Sequence, residues 1–419
     1  MKLSKVFGAG LILTASVVAL SLSRVGAQDK KQLEFVTTNL QSFADFFNPL
    51  VEKYNKANPA QNLKWTDLPQ ASIQPRVLAG VAAGNPPDAI QMNSTQVLEL
   101  AQQGALLPLN NLLSKEQIGI YQKQALSAFS FDGKIYALPD YASPRVVWFN
   151  TEILKKAGLE SQSLPRTMGE IIAWAKIIKD KTGLYGFSPL IANVDFLKTF
   201  QEQGLKLFSD DRKKAIFNSS AHIAILQQYM DLRKKDYFAE DAIRKGFTAG
   251  YELYSAGKLG IAIMGPTFVP RLQKDNEAVY KVSVVAPHPI SAGQVAQAST
   301  FSYAVPKGVS DPKAAAQLAF WLTNDEQQLA FSKRAGTTFP STIKAARDPF
   351  FNTGGASLID QSRAAAAKTM KIAKELSVFV PNASVLNKAF KDNIEAALFG
   401  QKSAKDALDE IVKIWNANL

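Results

Sequence analysis

The sequence predicts an α/β protein, and three observations indicate this fold class. Near the start of the chain, strand and helix patterns alternate three times; the strands are predicted at Leu33–Thr37, Leu63–Asp67 and Asp88–Met92. The middle of the chain is rich in helix patterns but contains two more strands of buried type, Leu259–Met264 and Lys281–Ala286. The last third is again helical. Strand–helix–strand repetition is typical of a parallel sheet that helices cover on both faces.

Several predicted helices have clear start and stop signals. Thr167-Met168-Gly169-Glu170 is a capping box, in which the Thr hydroxyl and the Glu carboxylate bond the first free amides of a helix. That helix is expected to end at Gly183. Two later helices, Lys313–Leu322 and Asn324–Ala335, meet at Thr323-Asn324, and the second is followed by Gly336.

The first 27 residues have the pattern of a cleaved export signal. Lys2 and Lys5 precede the apolar run Val6–Leu22, and Val25-Gly26-Ala27 has the small–x–small pattern of a signal-peptidase site. A retained membrane anchor is the less favoured alternative, because the run is shorter than the roughly 20 residues that a spanning helix needs. We therefore expect cleavage near Ala27 and a periplasmic location.

The composition excludes several kinds of site. The chain has no cysteine, so we expect neither a lipoprotein nor disulfides nor thiolate metal sites. The formal net charge is +12, and without Lys2, Lys5 and Arg24 it is 45 minus 36, or +9. The basic residues are scattered, and no stretch interleaves arginines with aromatic residues that stack on bases. We therefore interpret the charge as a solvated surface and expect no nucleic-acid partner.

Catalytic patterns are absent from the sequence. His222 and His288 are its two histidines, too few for a zinc site without thiolates. Neither a G-x-S-x-G elbow nor a phosphate-binding P-loop occurs. The carboxylate pairs Asp210-Asp211 and Glu240-Asp241 lie in polar segments, without the desolvation that tunes a glycosidase acid. We expect no enzyme, no cofactor and no metal; a secreted carbohydrate-active enzyme remains the less favoured alternative.

A series of short motifs follows the export signal in a specific order. The motifs are AAGNPPD at 82–88, GALLPL at 104–109, FDGKIYALP at 131–139, AGKLGIAIMGP at 256–266 and FWLTNDEQ at 320–327. In this order they resemble family 1 extracellular solute-binding proteins, the group that includes maltose-binding protein. The resemblance covers essentially the whole chain after the signal.

This resemblance implies a two-lobe periplasmic-binding-protein fold with three interlobe crossings, near 142–145, 285–288 and 322–324. The first lobe would comprise residues 28–142 and 287–322, and the second 143–286 and 323–419. The implied function is that of the substrate-binding subunit of an ABC importer. Such a monomer would capture a carbohydrate by hinged closure of its lobes and deliver it to a cognate permease in the inner membrane.

Candidate ligand-binding residues follow the predicted strands, since ligands of open parallel sheets bind at the carboxyl ends of strands. Asn39 and Gln41 follow the first strand, and Asn93 and Ser94 follow the third. These uncharged groups suit hydroxyls, which both donate and accept hydrogen bonds. The alternative is that they are turn formers and helix caps.

Further candidates flank the cleft that the resemblance implies. Thr267 and Phe268 come after a buried strand and Gly265, a residue type that lets a ligand approach the backbone. The other candidates are Asp140, Tyr141, Arg145, Thr300 and Phe301. Each aromatic ring would cover an apolar sugar face or else belong to the core. Asp140 and Arg145 would bond vicinal hydroxyls or pair with each other.

The candidate set favours a neutral, hydroxyl-rich ligand. An anion would call for clustered basic residues, whereas Arg145 has Asp140 nearby in the sequence. A polyamine would call for several carboxylates. Beside a sugar, a polyol, a glycerophosphodiester and a polyamine remain alternative ligands.

Overall fold

The computed structural model describes residues 31–378, 380 and 382–419. The proposed export signal, residues 1–27, lies outside the described residues. The strands are β1 Lys31–Thr38, β2 Gln61–Leu68, β3 Ala89–Asn93, β4 Ser130–Phe131, β5 Lys134–Ile135, β6 Ala137–Pro144, β7 Val146–Asn150, β8 Tyr185–Phe187, β9 Leu259–Met264, β10 Ser283–Pro287, β11 Ala296–Ala304, β12 Phe339–Pro340 and β13 Ala373–Lys374.

Helices connect these strands, and the described α-helices run over the following ranges. They are α1 Ala44–Ala57, α2 Ile73–Ala83, α3 Ser94–Gln102, α4 Lys115–Gly119, α5 Lys123–Ser127, α6 Thr151–Lys156, α7 Met168–Thr182, α8 Asp195–Glu202, α9 Ser220–Lys234, α10 Asp241–Lys245, α11 Phe247–Ser255, α12 Val269–Asp275, α13 Glu277–Lys281, α14 Pro312–Leu322, α15 Asp325–Ala335, α16 Leu358–Met370, α17 Ala383–Leu398 and α18 Ala404–Asn416. Within the described ranges, no helix has both the length and the apolar character needed to cross a membrane.

The larger sheet contains the three strands predicted near the start of the chain. Its order is β12-β6-β11-β3-β1-β2, and β13 also pairs with β11. β1 pairs in parallel with β2 and β3, whereas β11 runs antiparallel to β3 and β6. The sheet is therefore mixed, and its parallel part is the strand–helix repeat that the sequence predicted.

Helices cover both faces of this sheet. Successive side chains of a strand point to opposite faces, so Phe35 and Val36 of β1 lie in different cores. The Phe35 core includes residues of α1, α14 and α15, and the Val36 core includes residues of α2 and α3. The α/β class is therefore confirmed.

The smaller sheet has four strands in the order β10-β7-β9-β8. Its buried strand β9, Leu259–Met264, has the range that the sequence predicted. β9 runs antiparallel to β7 and parallel to β8. In the C-terminal helix α18, the apolar stripe that ends at Trp415 packs into a core that also contains residues of α9 and α17.

The chain passes between the two sheets near the first two predicted crossings. Arg145 alone separates β6 of the larger sheet from β7 of the smaller one. The chain returns after Pro287, where β10 ends, and enters the larger sheet at Ala296.

The third predicted crossing, at 322–324, is placed too early. Helix α15 buries Phe331 and Ala335 in the core of the larger sheet, and Phe339–Pro340 pairs with β6 of that sheet. The signal at Thr323-Asn324 is a junction between two helices, where the Asn324 side chain accepts a hydrogen bond from Gln327 N at 3.0 Å. Phe339 of β12 already packs into the core of the smaller sheet, and the chain joins that core fully through Phe351 and α16.

Candidate functional site

A cavity of about 610 Å³ lies between the two sheets. The ends of β1 and β6, the middle of β11 and helix α15 form one side, and the segment after β9 and the start of α11 form the other. Its lining residues are Thr38, Asn39, Leu40, Ser42, Phe43, Gln70, Tyr141, Ser143, Arg145, Phe247, Gly265, Thr267, Phe268, Arg271, Ser299, Phe301, Phe331, Ala335 and Thr338. Six predicted site residues are among them: Asn39, Tyr141, Arg145, Thr267, Phe268 and Phe301.

The loop after β1 is held by the carboxylate of Asp67. This carboxylate accepts hydrogen bonds from Leu40 N at 2.9 Å and Gln41 N at 3.1 Å. Asn39 has a φ of 56°, in the left-handed region that Asn tolerates better than most residues. Both Asn39 and Gln41 are exposed, but the loop places Asn39 in the cavity lining and Gln41 outside it.

Thr38 is a lining residue that the sequence-based candidates did not include. Its side-chain hydroxyl is buried and has no hydrogen-bond partner among the described residues. The neighbouring Thr37 differs, since its hydroxyl donates to Asp67 Oδ1 at 2.7 Å and accepts from Trp65 Nε1 at 2.8 Å. A buried hydroxyl without a partner is costly, and Thr38 lines the cavity, so its hydroxyl is a candidate for bonding a ligand once the side chain rotates toward the cavity.

Asn93 and Ser94 do not line the cavity. Asn93 Oδ1 accepts a hydrogen bond from Gln96 N at 2.9 Å, and Gln96 Oε1 accepts one from Asn93 N at 3.2 Å. This reciprocal pair is a capping box at the start of α3, which is the alternative role that the sequence left open. Ser94 is buried in the first turn of the same helix.

Thr300 also lies outside the lining, although both of its neighbours belong to it. Side chains alternate along β11, so Ser299 and Phe301 face the cavity and Thr300 does not. Thr300 N donates to Glu375 Oε2 at 3.3 Å. The predicted ligand contact, Thr300, therefore lies one residue away from the positions of β11 that face the cavity.

Aromatic rings form part of each wall. On the side of the larger sheet, the Tyr141 ring stacks on Phe301 with 5.2 Å between centroids, and it lies 5.5 Å from Phe331. On the opposite side, Phe247 and Phe268 lie 4.9 Å apart. Tyr141 and Phe301 were candidates, whereas Phe331 comes from a helix nearly 200 residues away from Tyr141 in the chain and had no local signal.

Asp140 and Arg145 have different environments. Asp140 is buried outside the lining, where Gln91 Nε2 donates to its Oδ2 at 2.9 Å, and burial raises the pKa of this carboxyl to about 7. Arg145 lines the cavity, and the two side chains form no ion pair. Arg271, which was not a candidate, lines the opposite wall and pairs with Asp275 at 3.2 Å. The lining thus contains two arginines and no acidic residue.

Neither histidine belongs to a metal cluster. Over the ranges that the structure describes, no three His, Cys, Asp or Glu residues gather in a group that could hold a metal ion. His222 is buried, and its Nδ1 lies 2.7 Å from Ser219 Oγ. His288 is buried next to Glu202, and burial lowers its pKa.

Comparisons of the sequence and the structure with known proteins agree with the geometry of two sheets and a cavity between them. The sequence profile of the family described as bacterial extracellular solute-binding protein matches residues 38–329. The chain belongs to this family. A probable sugar-binding periplasmic protein of Brucella melitensis is 26% identical over 379 residues, which cover 86% of this chain and 87% of that protein.

Solved structures of similar proteins have the same fold. A candidate oligosaccharide periplasmic-binding protein of Synechococcus superposes with a TM-score of 0.83 at 26% identity, covering 92% of this chain and 98% of that one. A maltose-bound protein of T. maritima superposes with a TM-score of 0.76 at 20% identity, covering 93% of this chain and all of the other. The two-lobe fold is therefore confirmed.

Proposed function

We propose that this protein is the extracytoplasmic substrate-binding subunit of an ABC importer and captures a carbohydrate in the cavity between its two sheets. The observation that carries the proposal is the lining itself, which combines aromatic rings on both walls with uncharged hydrogen-bonding side chains. Clefts that bind small molecules have this composition, with apolar rings for area and a few polar groups for orientation. The sugar-binding name of the Brucella melitensis relative supports the same ligand class.

Each kind of lining residue has a role in holding a sugar. Phe301 and Tyr141 on one wall and Phe268 on the other would cover its apolar C–H faces. The hydroxyl of Thr38 and the amide of Asn39 would bond its hydroxyl groups. A polyamine is disfavoured, because no carboxylate lines the cavity.

The proposed mechanism of capture is closure of two lobes about the passages between the sheets. The first passage is a single residue, Arg145, and the second spans Pro287 to Ala296. A ligand that contacts both walls binds the closed form better than the open form and so shifts the equilibrium toward closure. The closed surface would then signal occupancy to the permease.

The remaining parts of the proposal concern location and partners. The protein would be exported by cleavage near Ala27, diffuse as a monomer in the periplasm without a lipid anchor, and deliver its sugar to a cognate permease. Nucleic acid is not a proposed partner. The extracellular location in the family's description supports this placement.

The same proposal states that the protein binds the sugar without changing it. Incubation with oligosaccharides, followed by an assay for new reducing ends and by chromatography, tests this point. The expected result is recovery of the intact sugar. Time-dependent release of reducing ends that scales with the amount of protein would instead establish a hydrolase.

A further inference from the structure

Building on the proposed function, we propose that the bound carbohydrate carries an acidic group and that the guanidinium of Arg145 receives it. The acidic group would be a sugar carboxylate or a phosphate ester, since both present the paired oxygens that a guanidinium binds with two hydrogen bonds. This refines the ligand class of the cavity from carbohydrate to acidic carbohydrate, and it replaces the neutral ligand that the sequence favoured when Asp140 was expected beside Arg145.

The first observation is the position of Arg145. It is half-buried between β6 and β7, and it lines both the large cavity and an adjoining space of about 30 Å³. Its backbone N donates to Gln297 O at 3.4 Å, which fixes the main chain. Among the described residues, no carboxylate lies within the 4.0 Å of its guanidinium that defines an ion pair.

The acidic residues of the small adjoining space already have other partners. Asp195 Oδ1 lies 2.8 Å from Lys198 Nζ. Glu202 Oε1 accepts a hydrogen bond from Gln297 N at 3.3 Å and lies 3.7 Å from His288 Nε2. Arg145 is therefore a cation at the edge of the cavity, and neither of these two carboxylates forms an ion pair with it.

The second observation is the charge of the cavity lining. Arg271 is more than half exposed and is neutralised by Asp275. Asp140, which the sequence suggested as an ionic partner of Arg145, lies outside the lining and accepts a hydrogen bond from Gln91. Arg145 therefore remains the charged residue of the cavity lining that forms no ion pair within the described part of the chain.

Closure of the cleft gives the unpaired charge of Arg145 an energetic cost. Excluding water from a cation without a partner costs free energy, and an anionic group on the ligand offsets that cost. Two hydroxyl side chains lie at the same end of the cavity, since Ser143 and Ser299 are directly paired across β6 and β11 and both line it. Together with Arg145 they supply hydrogen-bond donors for an anion.

Calorimetric titration of the purified protein with matched neutral and acidic sugars tests the proposal. The pairs are galactose with galacturonate, galactobiose with digalacturonate, and glucose with glucose 6-phosphate. We expect one acidic member to bind at least about tenfold more tightly than its neutral partner, because a hydrogen bond to a charged group contributes more than a neutral one. This preference should weaken as sodium chloride is added. Neutral members that bind as well as the acidic ones would overturn the proposal.

Variants then assign the preference to Arg145. Arg145→Gln should abolish it, whereas Arg347→Gln, which changes an arginine outside the cavity, should preserve it. If folded Arg145→Gln still prefers acidic sugars, Arg145 is not the residue that receives the acidic group. If that variant does not fold, the salt dependence of binding by the unaltered protein still tests whether the ligand's charge contributes to affinity. If neutral sugars bind and acidic ones do not, this inference fails alone. If no saccharide of a wide panel binds, the proposed function fails with it.

Discussion

Gln91 joins Asp140 to the cavity wall: its Nε2 donates to Asp140 Oδ2 at 2.9 Å, and its Oε1 accepts from Thr38 N at 3.3 Å. The buried carboxyl thus supports the strand end that lines the cavity without being part of the lining. No ion pair reaches Asp140 from the described residues, so burial dominates and raises its pKa to about 7. This relationship has a measurable consequence for stability.

We expect Asp140 to make the protein less stable as the pH rises from about 4 to about 7. Its ordinary pKa is 3.8, so within this window the folded state holds a proton that the unfolded state has lost. Stability then falls with pH by at most about 1.4 kcal/mol per unit. Asp140→Asn stays uncharged and should gain stability relative to the unaltered protein across that window, with a constant difference above it. Urea unfolding at a series of pH values measures the difference in the free energy of unfolding between the variant and the unaltered protein. The two histidines are present in both proteins, so their contributions cancel. A difference that does not change with pH would contradict the pKa assigned to Asp140.

Thr38→Val should weaken sugar binding without destabilising the protein. The substitution keeps the shape and removes a buried hydroxyl that has no partner in the free protein. Loss of its bond to a ligand should lower the affinity roughly tenfold. Thr37→Val is the matched control. It leaves Trp65 Nε1 without its partner and removes one of the two hydrogen bonds to Asp67 Oδ1, so the free energy of unfolding should fall by about 1–3 kcal/mol with a smaller change in affinity. Equal affinities for the Thr38 variant and the unaltered protein would remove Thr38 from the site.

Asn39 and Asn93 should respond to substitution in opposite ways. Asn39→Gly preserves the left-handed backbone at a φ of 56° while removing the amide from the cavity, so affinity should fall and stability should change little. Asn93→Ala removes a helix cap and should cost about 1 kcal/mol of stability with unchanged affinity. Thermal unfolding and calorimetry of both variants check this contrast. Weaker binding by a stably folded Asn93→Ala would return that residue to the site.

Phe301→Ala should reduce sugar affinity far more than Phe131→Ala does. The two rings are matched, since both are half-buried and stacked on a tyrosine, with centroids 5.2 Å from Tyr141 and 4.8 Å from Tyr136 respectively. Only Phe301 lines the cavity. Truncation should destabilise both variants to a similar degree, so affinity measured on the folded fraction separates the two roles. Similar affinity losses in both would show that Phe301 acts through packing alone.

The sequence predicted the fold class well because hydrophobic periodicity is a local property. Strands β1, β2, β3 and β9 follow from short apolar patterns that need no knowledge of the rest of the chain. The third passage was misplaced because a helix–helix junction gives the same local signal whether or not the chain changes sheets. Asn324 caps α15 in either case, and the packing of Phe331 decides the matter.

The site was harder to predict, because its membership depends on register and on distant segments. A shift of one residue along β11 exchanges Thr300 for Ser299 and Phe301, which face the opposite way. Asn93 has the residue type and position of a ligand contact, yet its side chain caps the N-terminus of helix α3. Asp140 and Arg145 are close in sequence, and only the fold shows that one is enclosed and the other faces the cavity.

The central claim is that the cavity between the two sheets binds a carbohydrate, and a thermal-shift screen against mono- and oligosaccharides, neutral and acidic, tests it most directly. A ligand that binds only the folded state raises its stability by mass action. At least one saccharide should raise the unfolding temperature in a concentration-dependent way, and the shift should shrink in Phe301→Ala and Thr38→Val. A full panel that leaves the unfolding temperature unchanged, or a shift that both variants retain in full, would contradict the account.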